Sequence, residues 1–107
     1  MRNSISRTYP DWIAVVAFYE AVHLVEAGFR NAGKPNSHKH RQRNDRLKRD
    51  YPGVWRHFRP LWNLSKLARY EANKTVSLGK ARFVIERRMP DLKAELEQRM
   101  GIKPLPA

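Results

Sequence analysis

Between Trp12 and Phe29 the apolar residues recur in steps of three and four: Trp12, Val15, Val16, Phe18, Tyr19, Val22, Val25 and Phe29. That period makes one side of a helix apolar and does not suit a strand, whose side chains alternate at every second residue. Thr8 and Pro10 supply a start, because a Thr oxygen accepts from free first-turn N–H groups and Pro is tolerated there. The run Gly33-Lys34-Pro35-Asn36-Ser37 supplies a stop, so a first helix of about 35 Å is predicted at ~1.5 Å per residue. A second helix is predicted from His38 or Lys39 to Tyr51, resting lightly on the core because only Leu47 and Tyr51 are apolar along it. Pro52-Gly53 reads as a turn. After it, Val54, Trp55, Phe58, Leu61, Trp62, Leu64, Leu67 and Ala68 mark a third helix to about Tyr70. Pro60 falls on the side away from that stripe and predicts a solvent-side kink. A fourth helical region starts near Ser77 and carries Ala81, Val84, Ile85, Met89, Leu92, Leu96 and Met100, interrupted by Pro90 and ended by Gly101. No strand-like alternation and no repeat occurs. The expectation is an all-α four-helix bundle over residues 9–101, kinked or broken near Pro60 and Pro90, with tails at 1–8 and 102–107.

A chain of 107 residues forms one modest core and buries about two-thirds of its unfolded surface, which excludes an enzyme with separate cofactor and substrate domains. The absence of Cys removes disulfides, thiolate metal sites and cysteine nucleophiles, and fits a reducing cytoplasm. The longest uninterrupted apolar run is the eight residues from Trp12 to Tyr19, short of the ~20 of a membrane helix. Asp11 opens that run and Glu20 closes it, with no small-residue cleavage site after it, which argues against a signal peptide. A cytoplasmic protein outside the membrane is expected.

Charge divides along the same segments. Residues 9–29 hold Asp11, Glu20 and Glu26 and no Lys or Arg, whereas residues 30–69 hold twelve Lys or Arg against Asp45 and Asp50, for a total of +12 on the chain. A field concentrated in this way attracts polyanions and anionic surfaces. Six basic residues, Lys39, Arg41, Arg43, Arg46, Lys48 and Arg49, crowd the second helix; such a run is commonly a solvated face, and on a block this basic it also reads as a nucleic-acid contact surface.

Placed on a 100° wheel, Glu26 falls inside the apolar arc of the first helix between Val22 and Tyr19, with His23 at its edge, while Ser65 and Arg69 fall inside that of the third. An unpaired ion in an apolar interior costs several kcal/mol, so Glu26 and Arg69 are expected to pair. His40, Asn44, Leu47 and Tyr51 share one side of the second helix beside Arg43. The cluster expected from three helices is therefore Tyr19, His23, Glu26, His40, Arg43, Asn44, Ser65, Arg69 and Tyr70. It contains an acid, a base and cations suited to a phosphate. It also fits a purely structural polar network, since perturbed groups gather at both kinds of site. No His pair at i, i+4 spacing and no Cys supports a metal, and no cofactor is expected.

The segment from Asp11-Trp12 through Phe18-Tyr19-Glu20-Ala21-Val22-His23, the pattern His40-x-x-Arg43-Asn44 and the run Leu64-Ser65-Lys66-Leu67-Ala68-Arg69-Tyr70-Glu71 resemble small bacterial proteins of the HEPN-like superfamily, over roughly residues 9–90. The resemblance implies a helical bundle, frequent dimerisation, and an RNA or nucleotide partner, many members being ribonucleases of toxin or defence systems and others non-catalytic. The ribonuclease members place a His after an Arg with four to six residues between. Here Arg30 and His38, and Arg49 and His57, have seven between them, so the motif is absent in that form. A cleaving member would use His40 or His23 as acid-base group, Arg43 and Arg69 to stabilise phosphorane charge, and Glu26 to orient one of them. A binding-only member would use Lys39, Arg41, Arg46, Lys48 and Arg49 on phosphates. A third reading is an antitoxin-like or accessory subunit that docks a protein partner through Trp55 and Trp62.

Overall fold

The computed structural model describes residues 8–70 and 76–101, as four helices and, among those residues, no strand. They are α1 (Tyr9–Asn31), α2 (His40–Asp50), α3 (Pro52–Tyr70) and α4 (Leu78–Met100). The all-α four-helix architecture is as the periodicity predicts; the tails expected at 1–8 and 102–107 fall, apart from Thr8, outside the described residues.

Local chemistry sets the ends. Thr8 Oγ1 accepts from the Asp11 N–H at 3.3 Å and the Asp11 carboxylate accepts from the Thr8 N–H at 3.2 Å, a reciprocal capping box with Pro10 in the first turn. Ser77 caps α4 by accepting from the Lys80 N–H at 3.1 Å, and Gly101, at φ +73°, ends it in the left-handed conformation that Gly adopts at least cost.

One sequence expectation is corrected. Pro52-Gly53 is the first turn of α3 and not a separate turn, because Pro52 occupies a position whose N–H needs no helical partner. Close approach explains the Gly beside it, since a Cβ at Gly53 would lie 2.8 Å from Glu95 Oε1. Of the kink or break expected near Pro60 and Pro90, the break does not occur: both prolines lie inside continuous helices. Buried neighbours on both sides, Phe58 and Leu61 in α3 and Met89 and Leu92 in α4, hold each helix across its lost hydrogen bond.

Side-chain contacts give the topology. Glu20 meets Lys93 at 3.1 Å and the Asn31 amide donates to the Met100 carbonyl, so α1 and α4 run parallel. His57 stands 4.0 Å from Asp91, and Gly53 lies against Glu95, so α3 runs antiparallel to α4. Helix α2 packs on α3 and reaches α1 through long side chains. The main core joins Phe18, Val25 and Phe29 of α1 to Leu47, Val54, Phe58, Leu61, Leu92 and Leu96, all at most 1% exposed. A smaller cluster of Ala14, Leu64, Val76 and Ala81 closes the other end.

Helix α1 is apolar well round its circumference. By length and a mean hydropathy of 1.4 it could cross a membrane, although 44% of the window concerned is buried inside the bundle. Run length alone understated it, because Glu20 interrupts the sequence without changing the helix's average.

Candidate nucleic-acid interface and the ion pair beneath it

Glu26 and Arg43 form the polar centre of the molecule. Both are buried, and Arg43 Nε donates to Glu26 Oε2 at 2.8 Å. Glu26 Oε1 accepts from the Ser37 backbone N–H at 2.9 Å and from Asn36 Nδ2 at 3.1 Å, so one carboxylate pins both α2 and the connection that leads into it. Burial pushes the Glu26 carboxyl up, but the hydrogen bonds from Ser37, Arg43 and Asn36 outweigh it and hold the group below the ordinary value.

Arg43 Nη1 also lies 2.9 Å from His40 Nδ1. A guanidinium only donates, so Nδ1 accepts and the proton of the neutral ring sits on Nε2. Burial lowers the His40 pKa, and the Arg43 and Arg69 cations lower it further. The His40 ring stands 5.8 Å from that of Phe18, and the Arg69 guanidinium lies over the same Phe18 ring at 5.4 Å. Glu26 thus pairs with Arg43, which corrects the expected pairing with Arg69. Both arginines fall on suitable faces, but α2 approaches Glu26 from the side of its own connection, and Arg69 settles on an aromatic face.

No hydrogen bond among the described residues joins the rest of the expected cluster to the Glu26–Arg43 pair, although the Tyr19 ring stands 6.3 Å from that of Phe18. Tyr19 and His23 are exposed on α1. Asn44 and Ser65 are buried, and Asn44 Oδ1 and Ser65 Oγ have no hydrogen-bond partner among the described residues. Tyr70 ends α3, and its side chain lies outside the described residues. Among the described residues no three His, Asp or Glu side chains converge on one point.

The six basic residues of the second helix segment also divide. Lys39, Arg41, Lys48 and Arg49 are exposed. Arg43 is spent inside. Arg46, expected on phosphates, is half-buried: its Nη1 donates to the Pro35 carbonyl at 2.6 Å and its guanidinium lies 4.6 Å from the Phe29 ring centroid. It pins the connection that leads into α2. Asp45 lies 3.8 Å from Arg41, and Asp50 lies 3.0 Å from Arg49.

The charge-based reading missed a continuation of this surface onto α3. Trp55, Arg59, Trp62 and Lys66 follow at helical spacing, the Trp rings half-buried and 6.5 Å apart. Lys48 Nζ sits 5.0 Å over Trp55 and Lys66 Nζ sits 4.3 Å over Trp62. The signal was present in the sequence as alternating Trp and cation at steps of four, three and four.

No protein family, curated protein or solved structure matches this chain.

His40 links this geometry to pH. Its folded-state pKa lies below the ordinary value, so the unfolded chain takes up a proton that the folded chain refuses. Its contribution to stability is complete above the unfolded value near pH 6.5 and falls as the pH drops below it. His57 shifts the same way: burial lowers its pKa, Asp91 opposes, and Arg56 and Arg88 add to the lowering. The thermal midpoint is expected to fall on going from about pH 7.5 to about pH 5.5, with a shallower fall in the His40→Asn, His57→Asn variant. Equal slopes in the two proteins would dissociate these histidines from the effect.

Proposed function

We propose that the protein binds single-stranded RNA or single-stranded DNA, without cleaving it, through the exposed basic side chains of α2 and the tryptophan ridge of α3. The observation that carries this reading is the alternation of cation and ring across Lys48, Trp55, Arg59, Trp62 and Lys66. Cations follow a phosphate backbone, and unpaired bases stack on aromatic faces whatever their identity. A protein partner docked through Trp55 and Trp62, the rival reading, has less support, because the cations interleaved with the rings suit a polyanion better than an apolar protein surface. The HEPN-like resemblance is consistent with the nucleic-acid reading and enters it as part of the proposal.

Cleavage is left out on chemical grounds. A general base at His40 Nε2 needs the proton on Nδ1, and an acid needs both nitrogens protonated. Arg43 opposes each state by donating to Nδ1. Arg43 itself is buried in its pair with Glu26.

Fluorescence anisotropy with a labelled single-stranded RNA tests the reading. Affinity is expected to fall steeply between about 50 and 200 mM salt. The Arg41→Glu, Lys48→Glu, Arg49→Glu variant should bind roughly 100-fold more weakly and lose about two units of the log–log salt slope, at ~0.7 per phosphate contact on a single strand. Trp62→Ala should weaken single-strand binding by roughly tenfold, within the range for a lost stacking partner. Unchanged affinity and slope in the charge-reversal variant would overturn the proposal.

A further inference from the structure

Away from the basic surface, the outer side of the α1–α4 pair carries apolar and aromatic side chains that none of the described residues covers. On α1, Tyr9 is 65% exposed, Trp12 54%, Val16 59% and Tyr19 49%; on α4, Phe83 is 63% exposed. Val16 stands nine residues before the buried Val25, and Phe83 stands nine before the buried Leu92. At ~3.6 residues per turn that places each half a turn away from the core. The two helices run parallel and meet along a seam marked by Glu20 and Lys93, where Ile13, Ala17 and Ile85 line an open apolar groove of about 320 Å³. Helix α3 packs on the inward side of both, so the exposed rings share one side of the molecule.

We propose that this side docks on an anionic phospholipid bilayer, with the rings at the level of the headgroups and the bundle lying on the membrane. It does not cross the membrane, because the inward side of α1 is committed to the core. The kind of side chain selects a lipid surface. Trp and Tyr, an apolar body with a polar tip, settle at the boundary between hydrocarbon and water.

Size points the same way. At ~200 Å² for a whole aromatic side chain, the exposed parts of the five residues come to roughly 550 Å², short of the ~800 Å² per partner of a standard protein interface. A bilayer takes up each ring separately and needs no complementary shape. Charge completes the case. The acids of α1 on this side are engaged, Asp11 with the Thr8 N–H and Glu20 with Lys93, whereas Lys80, Arg82 and Arg87 stand exposed on the first half of α4 alongside Glu86. Arg82 and Arg87 flank Phe83, the Arg87 guanidinium 5.7 Å from its ring centroid. Cations so placed meet lipid phosphates as the ring enters, and the net charge of +12 adds long-range attraction to the same leaflet.

This inference does not rest on the nucleic-acid proposal, and the chain's three tryptophans allow the two to be read separately. In the full chain carrying Trp55→Phe and Trp62→Phe, Trp12 is the sole tryptophan. Vesicles of phosphatidylcholine and phosphatidylglycerol with brominated acyl chains should quench its fluorescence, strongly at low salt and much less at high salt or without the anionic lipid. In the otherwise unaltered chain, Trp12→Ser with Phe83→Ser should lower co-sedimentation with the mixed vesicles by roughly tenfold or more, the scale of withdrawing two half-exposed rings from an apolar phase. Its circular dichroism spectrum and RNA affinity should not change. Arg82→Glu with Arg87→Glu should weaken binding to the mixed vesicles and leave the residual binding to pure phosphatidylcholine as it was. Absence of Trp12 quenching overturns the proposal even where the protein sediments with vesicles, since the cations of α2 and α3 would then hold the lipid. So does a blue shift of Trp12 emission that follows protein concentration and ignores vesicles, which would assign the rings to a protein surface.

Discussion

Replacing Arg43 by Ala is expected to lower the stability of the fold by about 3 kcal/mol, at the lower end of what breaking a buried ion pair costs, and the thermal midpoint by roughly 12–20 °C for a domain of this size. The cause is what the substitution leaves behind. Glu26 keeps Ser37 and Asn36 but loses its ionic partner at 2.8 Å, and its carboxylate stays in a poorly solvated place. His40 Nδ1 loses its donor at the same time. Replacing both charges, Glu26→Gln with Arg43→Met, should cost markedly less than the two single changes added together, because neither charge is then stranded. Calorimetry on the four proteins measures the coupling. Additive losses would mean that the pair does not act as a unit.

Phe18→Ala should cost about 4 kcal/mol, the usual scale for truncating a buried Phe. Phe18 is fully buried, and its ring stands 5.6 Å from that of Phe58 and 5.8 Å from that of His40, with Arg69 over its face. The loss therefore combines a cavity at the junction of α1 and α3 with a cation that no longer has its ring. Phe18→Leu keeps most of the volume and removes the aromatic face. Its smaller loss in chemical denaturation, roughly 1–1.5 kcal/mol on the scale of volume-conserving core swaps, separates packing from the cation contact. Equal losses for Ala and Leu would show that packing at this position carries little.

The parts of the fold that depend on a few neighbouring residues were legible in the sequence. Thr8, Pro10 and Asp11 open α1, Ser77 opens α4 and Gly101 closes it, as caps of those types do. At Pro60 and Pro90 the sequence left a kink and a break both open, because a chain-local rule counts the hydrogen bond lost there and omits the buried Phe58, Leu61, Met89 and Leu92 on either side. Glu26 was legible as a buried acid, since its place on the wheel depends on α1 alone. Its partner was not. A wheel fixes an angle round one axis, whereas the choice between Arg43 and Arg69 depends on how far α2 stands from α1 and on the path of residues 32–39 between them. Similarly, Trp12, Val16 and Tyr19 belong to the apolar pattern that predicts α1 but lie on its open side. Periodicity reports that a helix has an apolar face; how much of that face is covered depends on the neighbouring helices, and α2 remains at arm's length.

That distance has a kinetic meaning. Helix α2 brings one buried apolar residue, Leu47, and is otherwise moored by Arg43 to Glu26, by Arg46 to Phe29 and Pro35, and by Lys48 to Trp55. Attachments between charges and rings yield one at a time, while an interdigitated apolar face yields all at once. The helix that carries much of the positive charge is therefore expected to open as a separate unit, at a free energy below that of global unfolding. Exchange of its backbone amides with solvent would run on a clock of its own, one that an anion lying across α2 and α3 would slow by holding the two together.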